Sequence, residues 1–571
     1  MAFYLSPLVD VNEIDLTTTI PAVATSIAAI ILRNTYKGPE RKKVYISSVN
    51  DLITMFGKPT NTAACYQDIL AATGYLRYGN SLYCTRTMPA SATFAGTRAV
   101  SGSETTFLPF AAAYKLGDFA SQDPDQFADE VGVTGTDPFW LIAASRGAWG
   151  NDIRVAVVDY TTYNQIASGG NSSWDTYADI AAIDSPLLDT KSFLIIVSVK
   201  PQGETAYVVK EFFNVSTDEN VINDQGEKIF AETIINQQSS YIRIALHDNQ
   251  KNQAITISTS SYQSLTLGVD DGGDIVTDAF IMADIDLYAN AEEIDVNMFI
   301  DANKSDTVKS YMISIAEDRK DCMAILDCPY DNVINNSGSE ATDLRTWRLE
   351  TLNENTSYGA VYGNWLEVYD KWNGKYRWVP SSGYVAGIFA NTDDVSDPWF
   401  APAGLNRALL GNVRRLAWNP TLGQRDLLYK SGINPIVSFA GQGKVVWGQK
   451  TMLDKESAFN RINVRRLFMV LEKAISTAAK YFLFEPNDDL TRLLLVNMID
   501  PFLRDVKSRR GVYDYMVVCD TTNNTPERID RNELWCDIFI KPTRAAEFIV
   551  LNFVATKTGA SFTELAGATQ G

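Results

Sequence analysis

The 571-residue chain contains one histidine, His247. A Ser-His-Asp triad needs an imidazole to take the serine proton, so a histidine-based hydrolase would have to be assembled around that one residue. Cysteine is also sparse. The six (Cys65, Cys84, Cys322, Cys328, Cys519 and Cys536) include no CxxC pair. This argues against a disulfide scaffold or a zinc ribbon and fits a reducing compartment during folding. No run reaches the roughly 18 apolar residues that a membrane-spanning helix needs. The nearest, 20–32, is interrupted by Pro21, Thr25 and Ser26. No Lys or Arg precedes Arg33, whereas Asp10, Glu13 and Asp15 do. A secretory signal needs a basic leader, so a chain folded in a cytoplasm is expected.

Nucleotide and metal motifs are missing too. GQGK at 441–444 comes near a phosphate-binding loop, but that loop needs Gly at 438 and Ser or Thr at 445, where Ser438 and Val445 stand. A glycine-flanked turn into the strand KVVWG explains it better. DDGGD at 270–274 lacks the EF-hand spacing and reads as a solvated turn. No cofactor, metal or catalytic residue is expected.

What the chain does have is length, apolar content and uneven charge. Its size implies roughly three or four domains. With 46% hydrophobic and 21% charged residues it is an ordinary folded chain. Net charge is −19, yet the residues from Ala403 onward hold 23 basic and 17 acidic side chains, a balance of +6, which leaves −25 on the first 402. Such asymmetry points to a C-terminal part that meets an acidic surface. A total this acidic repels nucleic acid, so the expected partner is protein.

In chain order, residues 1–19 read as an arm: no helical period, and no consistently apolar face, as in a strand that pairs mainly through its backbone. SIAAIILRN, KKVYISSV, an amphipathic helix near 66–78 and SLYCTRTM form a strand–helix–strand pattern typical of an α/β layer. From 89 to 290 helical periodicity largely vanishes. Short strands such as IRVAVVDY, SFLIIVSVK, AYVVKEFFNV and QAITIS predict one or two antiparallel β domains. The α/β pattern returns with VNMFIDAN, a helix over 304–319 and DCMAILDCP. A hairpin over 367–379 is expected to turn through Asn373-Gly374 as type I′. In the C-terminal block Val464, Leu467, Phe468, Leu471, Ile475 and Phe482 share one helical face. Asn487 or Asp488 caps a second helix running towards Val506, kinked at Pro501. YDYMVVC, LWCDIFIKP and AEFIVLNFVA read as three strands, and 557–571 as a second arm.

Three stretches taken together, PWFAPAGL (398–405), GQGKVVWGQKTM (441–452) and FEPNDDL (484–490), resemble the tail sheath proteins of contractile-tailed bacteriophages. DLITMFGKP (51–59), YGNSLYCTR (78–86), RGAWGNDIRV (146–155) and Arg319-Lys320-Asp321 extend the likeness. Pro7-Leu8-Val9 departs from the Pro-Gly-Val many members carry in the arm. The resemblance covers about 1–90 and 291–571.

It implies an α/β and β multidomain fold. An N-terminal arm (1–19) precedes a central subtilisin-like α/β domain (20–88 and 291–435). An inserted antiparallel β region (89–290) faces outward, an α+β C-terminal domain (436–556) faces the tube, and a C-terminal arm (557–571) follows. His247 falls in the insert, away from the central domain, and reads as a surface or packing residue. The resemblance further implies a structural subunit of the virion tail, assembled in the host cytoplasm into hexameric rings stacked helically around a tail tube. Baseplate and tail terminator proteins are further partners, and nucleic acid and membrane are not. Strand-exchange positions are expected at Val9, Val11, Ile14, Leu16 and Phe562. A basic cluster at Arg504, Lys507, Arg509 and Arg510 either complements the end of its helix or faces an acidic tube. The sheath of a bacterial injection system (R-type pyocin or type VI-like) is the alternative, with a β-rich surface adhesin behind it.

Overall fold

A seven-stranded sheet organises the larger part of the chain in the computed structural model. The structure describes residues 25–100, 106–119, 121–134, 137–183, 186–271 and 275–551. Two compact units divide the chain, 1–485 and 486–571.

In the first unit the sheet order is Ile433–Asn434, Gly359–Tyr362, Met323–Asp327, Met298–Ile300, Ala28–Arg33, Leu82–Thr87, Val44–Ile46. All pairings are parallel except the last, where Val44–Ile46 runs antiparallel to Leu82–Thr87. The apolar runs are continuous because both faces are covered. Ala28, Ile30 and Leu32 enter one core, with helices Ala63–Tyr75 and Ser382–Val395. Ala29 and Ile31 enter the other, with helix Asp306–Arg319. The two helices of the first face touch through small residues. A Cβ on Gly383 would lie 2.1 Å from the Ala71 carbonyl oxygen, so only glycine fits there.

Residues 89–277 form two four-stranded antiparallel sheets: Ile242–Leu246, Phe139–Ala143, Gly96–Val100, Thr106–Leu108, and Gln263–Ser264, Ile153–Asp159, Ser192–Val199, Val208–Ser216. Ala99, Leu141, Val155, Val157, Ile195 and Val197 share one core, so the sheets pack face to face. Three expectations from the sequence fail locally. QAITIS (253–258) is not a strand, although Ile255 and Ile257 are buried. The hydroxyls of Ser258 and Thr259 accept from Asp159 N and Val157 N, and Thr259 N donates to Val157 O, so side chains replace part of a backbone ladder at that edge. The hairpin Trp365–Asp370/Lys375–Pro380 has a four-residue loop, not a type I′ turn. Gly374 alone takes a positive φ, and the Asp370 carboxylate accepts from Trp372 N and Asn373 N. Short helices such as Tyr160–Ala167 and Ala231–Gln238 interrupt the β pattern.

The segment expected to open the C-terminal domain divides. Ile436, Val445, Val446, Ile462 and Met469 complete the core of the first unit. Helix Ile462–Ala479 therefore belongs to that unit; of the expected face Val464, Leu467 and Leu471 are buried, Phe468 and Ile475 are only half-buried, and Phe482 lies in the turn beyond the helix. The second unit pairs helix Asp489–Ser508 with one antiparallel hairpin, Val512–Val518 and Asp537–Pro542. Asp488 caps the helix, its carboxylate accepting from Thr491 N at 2.8 Å, and the helix continues past Pro501. The third expected strand is not formed over its described residues, 546–551. Phe548, Ile549, Val550 and Leu551 are 71–87% exposed, because no neighbouring strand among the described residues supplies a partner.

Candidate functional site

An open parallel sheet carries ligands outside the carboxyl ends of its strands, where the chain order reverses. Here that point lies between Ala28–Arg33 and Met298–Ile300, and it is filled by charge. Asp68, fully buried, receives Arg33 Nη2 at 2.7 Å and Lys304 Nζ at 3.0 Å. Asp301 accepts from Lys304 N and Asp327 N, both at 2.9 Å. Asp327 accepts from Ser382 N at 2.7 Å and Ser381 Oγ at 3.1 Å, and Ser382 Oγ accepts from Ala302 N. Burial, then the nearby Asp301, pushes the Asp327 carboxyl up to about 6. Burial, then Arg33, pulls Lys304 down to about 8. The donors and acceptors of this centre are consumed by one another. Ser382 has no imidazole beside it, since His247 caps a turn in the insert, its Nδ1 accepting from Asn249 N at 3.0 Å.

A second buried network ties the main sheet to the insert. The Glu40 carboxylate takes Arg86 Nη1 at 2.9 Å and Arg146 Nε at 2.9 Å. Arg86 also donates to Thr35 O and Arg146 O, and Arg146 to Pro89 O. Sequence reasoning marked RGAWGNDIRV and YGNSLYCTR without seeing that their arginines share one acid. Likewise Arg319 clasps Asp321 with two bonds at 2.9 Å and donates to Ile294 O. In both cases the signal available was a charged residue at the end of an apolar run. DDGGD lies partly outside the described residues, and Asp270 accepts from Ala148 N at 2.7 Å. No group of three or more metal-binding side chains occurs among the described residues.

Asp284 is the exception to this pairing. It is 1% exposed on the wall of a cavity between Arg41, Thr87, Lys115 and Phe280. Neither oxygen has a hydrogen-bond partner, and Arg41 Nε stands 3.6 Å away. Burial pushes its carboxyl up to about 7, against the pull of Thr87 and Arg41. A pKa above the unfolded carboxylate value means that the folded state holds the proton more tightly, so stability falls as pH rises from about 4 to about 7. Asp284→Asn is expected to stabilise the protein by about 1–3 kcal/mol at pH 8 and by much less near pH 4. Denaturant melts at the two pH values check this; an equal gain at both would assign the effect to packing.

The basic cluster lies in the second unit, at the end of helix Asp489–Ser508, and most of it is locally paired. Arg504 bonds Asp500, Lys507 Nζ meets Asp514 at 2.9 Å, and Arg509 meets Asp505 at 3.4 Å. Arg510 takes a positive φ at the helix end. The hairpin beside it leaves an apolar face in solvent: Met516 and Phe539, opposite one another, are 54% and 55% exposed. Both strands are edge strands among the described residues. Val9, Val11, Ile14, Leu16 and Phe562 lie outside the described residues.

These features define a mixed α/β multidomain protein with sealed charge centres and one unit whose sheet edges and apolar face are open among the described residues. Residues 283–452 match the phage tail sheath protein central domain, and 454–556 the phage tail sheath C-terminal domain. The tail sheath protein of Vibrio phage KVP40 is 31% identical over 99% of this chain and 100% of its own length. That of Enterobacteria phage T4 is 41% identical over 51% of this chain and 47% of its own. The fold is similar to a sheath tail protein from Listeria innocua, at TM-score 0.52 and 12% identity, covering 92% of this chain and 96% of that one. It is also similar to the anti-feeding prophage helical sheath in its contracted state, at TM-score 0.51 and 15% identity, covering 97% and 100%.

The chain belongs to the contractile phage tail sheath family. It is a structural subunit of a contractile bacteriophage tail.

Proposed function

We propose that copies of this chain form six-subunit rings that stack helically around a tail tube and shorten to drive the tube through the host envelope. The observation that carries the assembly mode is the two-stranded sheet of the second unit. Among the described residues neither strand has a second neighbour, and an isolated hairpin is marginal in water. Extended arms at 1–19 and 557–571 of neighbouring subunits supply the missing strands through Val9, Val11, Ile14, Leu16 and Phe562. The subunits repack as rigid bodies, which the two-sided core of the larger unit favours. The central domain is subtilisin-like in layout but performs no catalysis. The insert begins near Pro89 and ends before Asp278, since Ile281, Ile285 and Tyr288 pack in the core of the main sheet. Assembly takes place in the host cytoplasm, with baseplate and tail terminator proteins bounding the stack and no role for nucleic acid or membrane.

Electron microscopy of the purified protein, alone and with the tube protein, tests this reading. Long, hollow, helically striated tubes are expected; dispersed monomers in both samples would overturn it.

The cluster Arg504, Lys507, Arg509 and Arg510 faces the tube in this reading. Its ion pairs are solvent-exposed and screened by water and salt, so the cations can exchange one acidic partner for another. Reversing Lys507, Arg509 and Arg510 to Glu is expected to cut loading onto tube at least tenfold. Asp505→Asn with Asp514→Asn, which unmasks the cations, is expected to raise it. Co-sedimentation with tube measures both, and unchanged loading at low salt would leave the cluster as a helix-end complement only.

A further inference from the structure

Four of the six cysteines, Cys65, Cys84, Cys322 and Cys328, are wholly buried in the larger unit. The other two are placed differently. Cys519 follows strand Val512–Val518 and Cys536 precedes strand Asp537–Pro542, and the last ladder pair of that hairpin is Val518 with Asp537. One step further along an antiparallel ladder sets Cys519 against Cys536. Directly opposed residues have Cα atoms about 4.5 or 5.5 Å apart, and a disulfide takes about 4.4–6.8 Å. The two thiols are close enough for each to bear on the other's ionisation.

The register is fixed at this end of the hairpin. Asn523 Nδ2 donates to Val518 O at 2.8 Å. Asn524 bonds Trp535 twice, donating to its carbonyl at 2.9 Å and accepting its amide at 2.7 Å. Asn524 is 2% exposed, so these bonds are shielded from water. Cys519 is buried, while Cys536 is partly exposed.

We propose that Cys519 and Cys536 are a latent cross-strand disulfide site, closed by exchange with a small-molecule disulfide. The thiolate of Cys536, the more accessible group, attacks one sulfur of the reagent. The reagent's S–S bond breaks, one thiol leaves with a proton, and a mixed disulfide remains on Cys536. The Cys519 thiolate then attacks Cys536 Sγ and expels the second thiol. Two protein thiols are oxidised, one external disulfide is reduced to two thiols, and both protons pass to the leaving groups.

Burial, then the neighbouring Cys519, pushes the Cys536 thiol up to about 12, and burial raises Cys519. The dithiol is therefore slow to react at neutral pH and faster in alkali, because only the thiolate attacks. A closed bond ties the ends of an 18-residue segment, 519–536, and holds the hairpin whose edges the assembly uses.

Full-length protein is incubated with glutathione disulfide at pH 8.5, quenched in acid, denatured and alkylated for mass spectrometry. Alkylatable thiols are expected to fall from six to four, with no retained glutathione. Fragments containing 519 and 536 are expected to be joined until a reductant separates them. Cys519→Ala is expected to stop at a glutathione adduct on Cys536. Closure is expected to slow roughly tenfold per pH unit towards pH 7. Six alkylatable thiols in folded wild-type protein, or a persistent adduct on Cys536 with Cys519 still alkylatable, would overturn the proposal.

Discussion

Removing residues 1–19 is expected to abolish long assemblies while leaving a soluble, folded subunit. Two halves of the molecule carry this expectation. Among the described residues the cores of the larger unit draw on positions from Ala28 onward, all of which the deletion keeps. The acceptor is the hairpin Val512–Val518/Asp537–Pro542, a sheet with two free edges among the described residues. A strand added to an edge gains about 1 kcal/mol per backbone bond, hence several kcal/mol per arm. Every subunit in a ring repeats the gain, so small terms decide whether a tube forms. Proline at Val11 and at Ile14 removes two backbone donors without shortening the arm and is expected to give the same defect in milder form. Electron microscopy with sedimentation velocity separates the outcomes, and tubes of wild-type length from the truncated chain would sink strand exchange as the link between subunits.

The largest loss of stability from a single side chain is expected at Glu40. Its carboxylate is the shared partner of Arg86, fully buried, and Arg146, 4% exposed. Glu40→Ala leaves two guanidinium groups without their counter-charge, a change that costs about 3–5 kcal/mol. Arg86 sits on the main sheet and Arg146 in the insert, so the loss falls at the joint between them. Limited proteolysis within 89–277 should accelerate together with the fall in the unfolding midpoint. A triple variant with Met at Glu40, Arg86 and Arg146 discriminates two accounts. If the damage comes from stranded charge, the triple variant recovers much of the stability. A variant worse than Glu40→Ala would mean that the network's hydrogen bonds to Thr35 and Pro89 hold the joint.

Much of the fold could be read from local pattern. Continuous apolar runs such as AAIILR and MAILD predict strands buried on both faces, and the helical spacing of Val464, Leu467 and Leu471 gives the face that packs. Capping was legible at Asp488, where an acid precedes a helix-forming run. What escaped depends on partners distant in sequence. Asp68 looks like a solvent-facing helix residue until Arg33 and Lys304 converge on it from strand ends. The basic cluster was visible as charge, but Asp514, which meets Lys507, comes from the following strand. AEFIVLNFVA has the composition of a strand, yet a strand is defined by its neighbour. Over its described residues this one stands open to solvent.

The open hairpin has a thermodynamic consequence. A unit that presents Met516, Phe539 and the run Phe548–Leu551 to water gains by mass action from anything that covers them. Its unfolding midpoint should climb with protein concentration, while that of the larger unit, whose cores are closed within one chain, should not. Dilution would then melt the two parts of one polypeptide at separate temperatures, and crowding into a ring would merge them into a single transition.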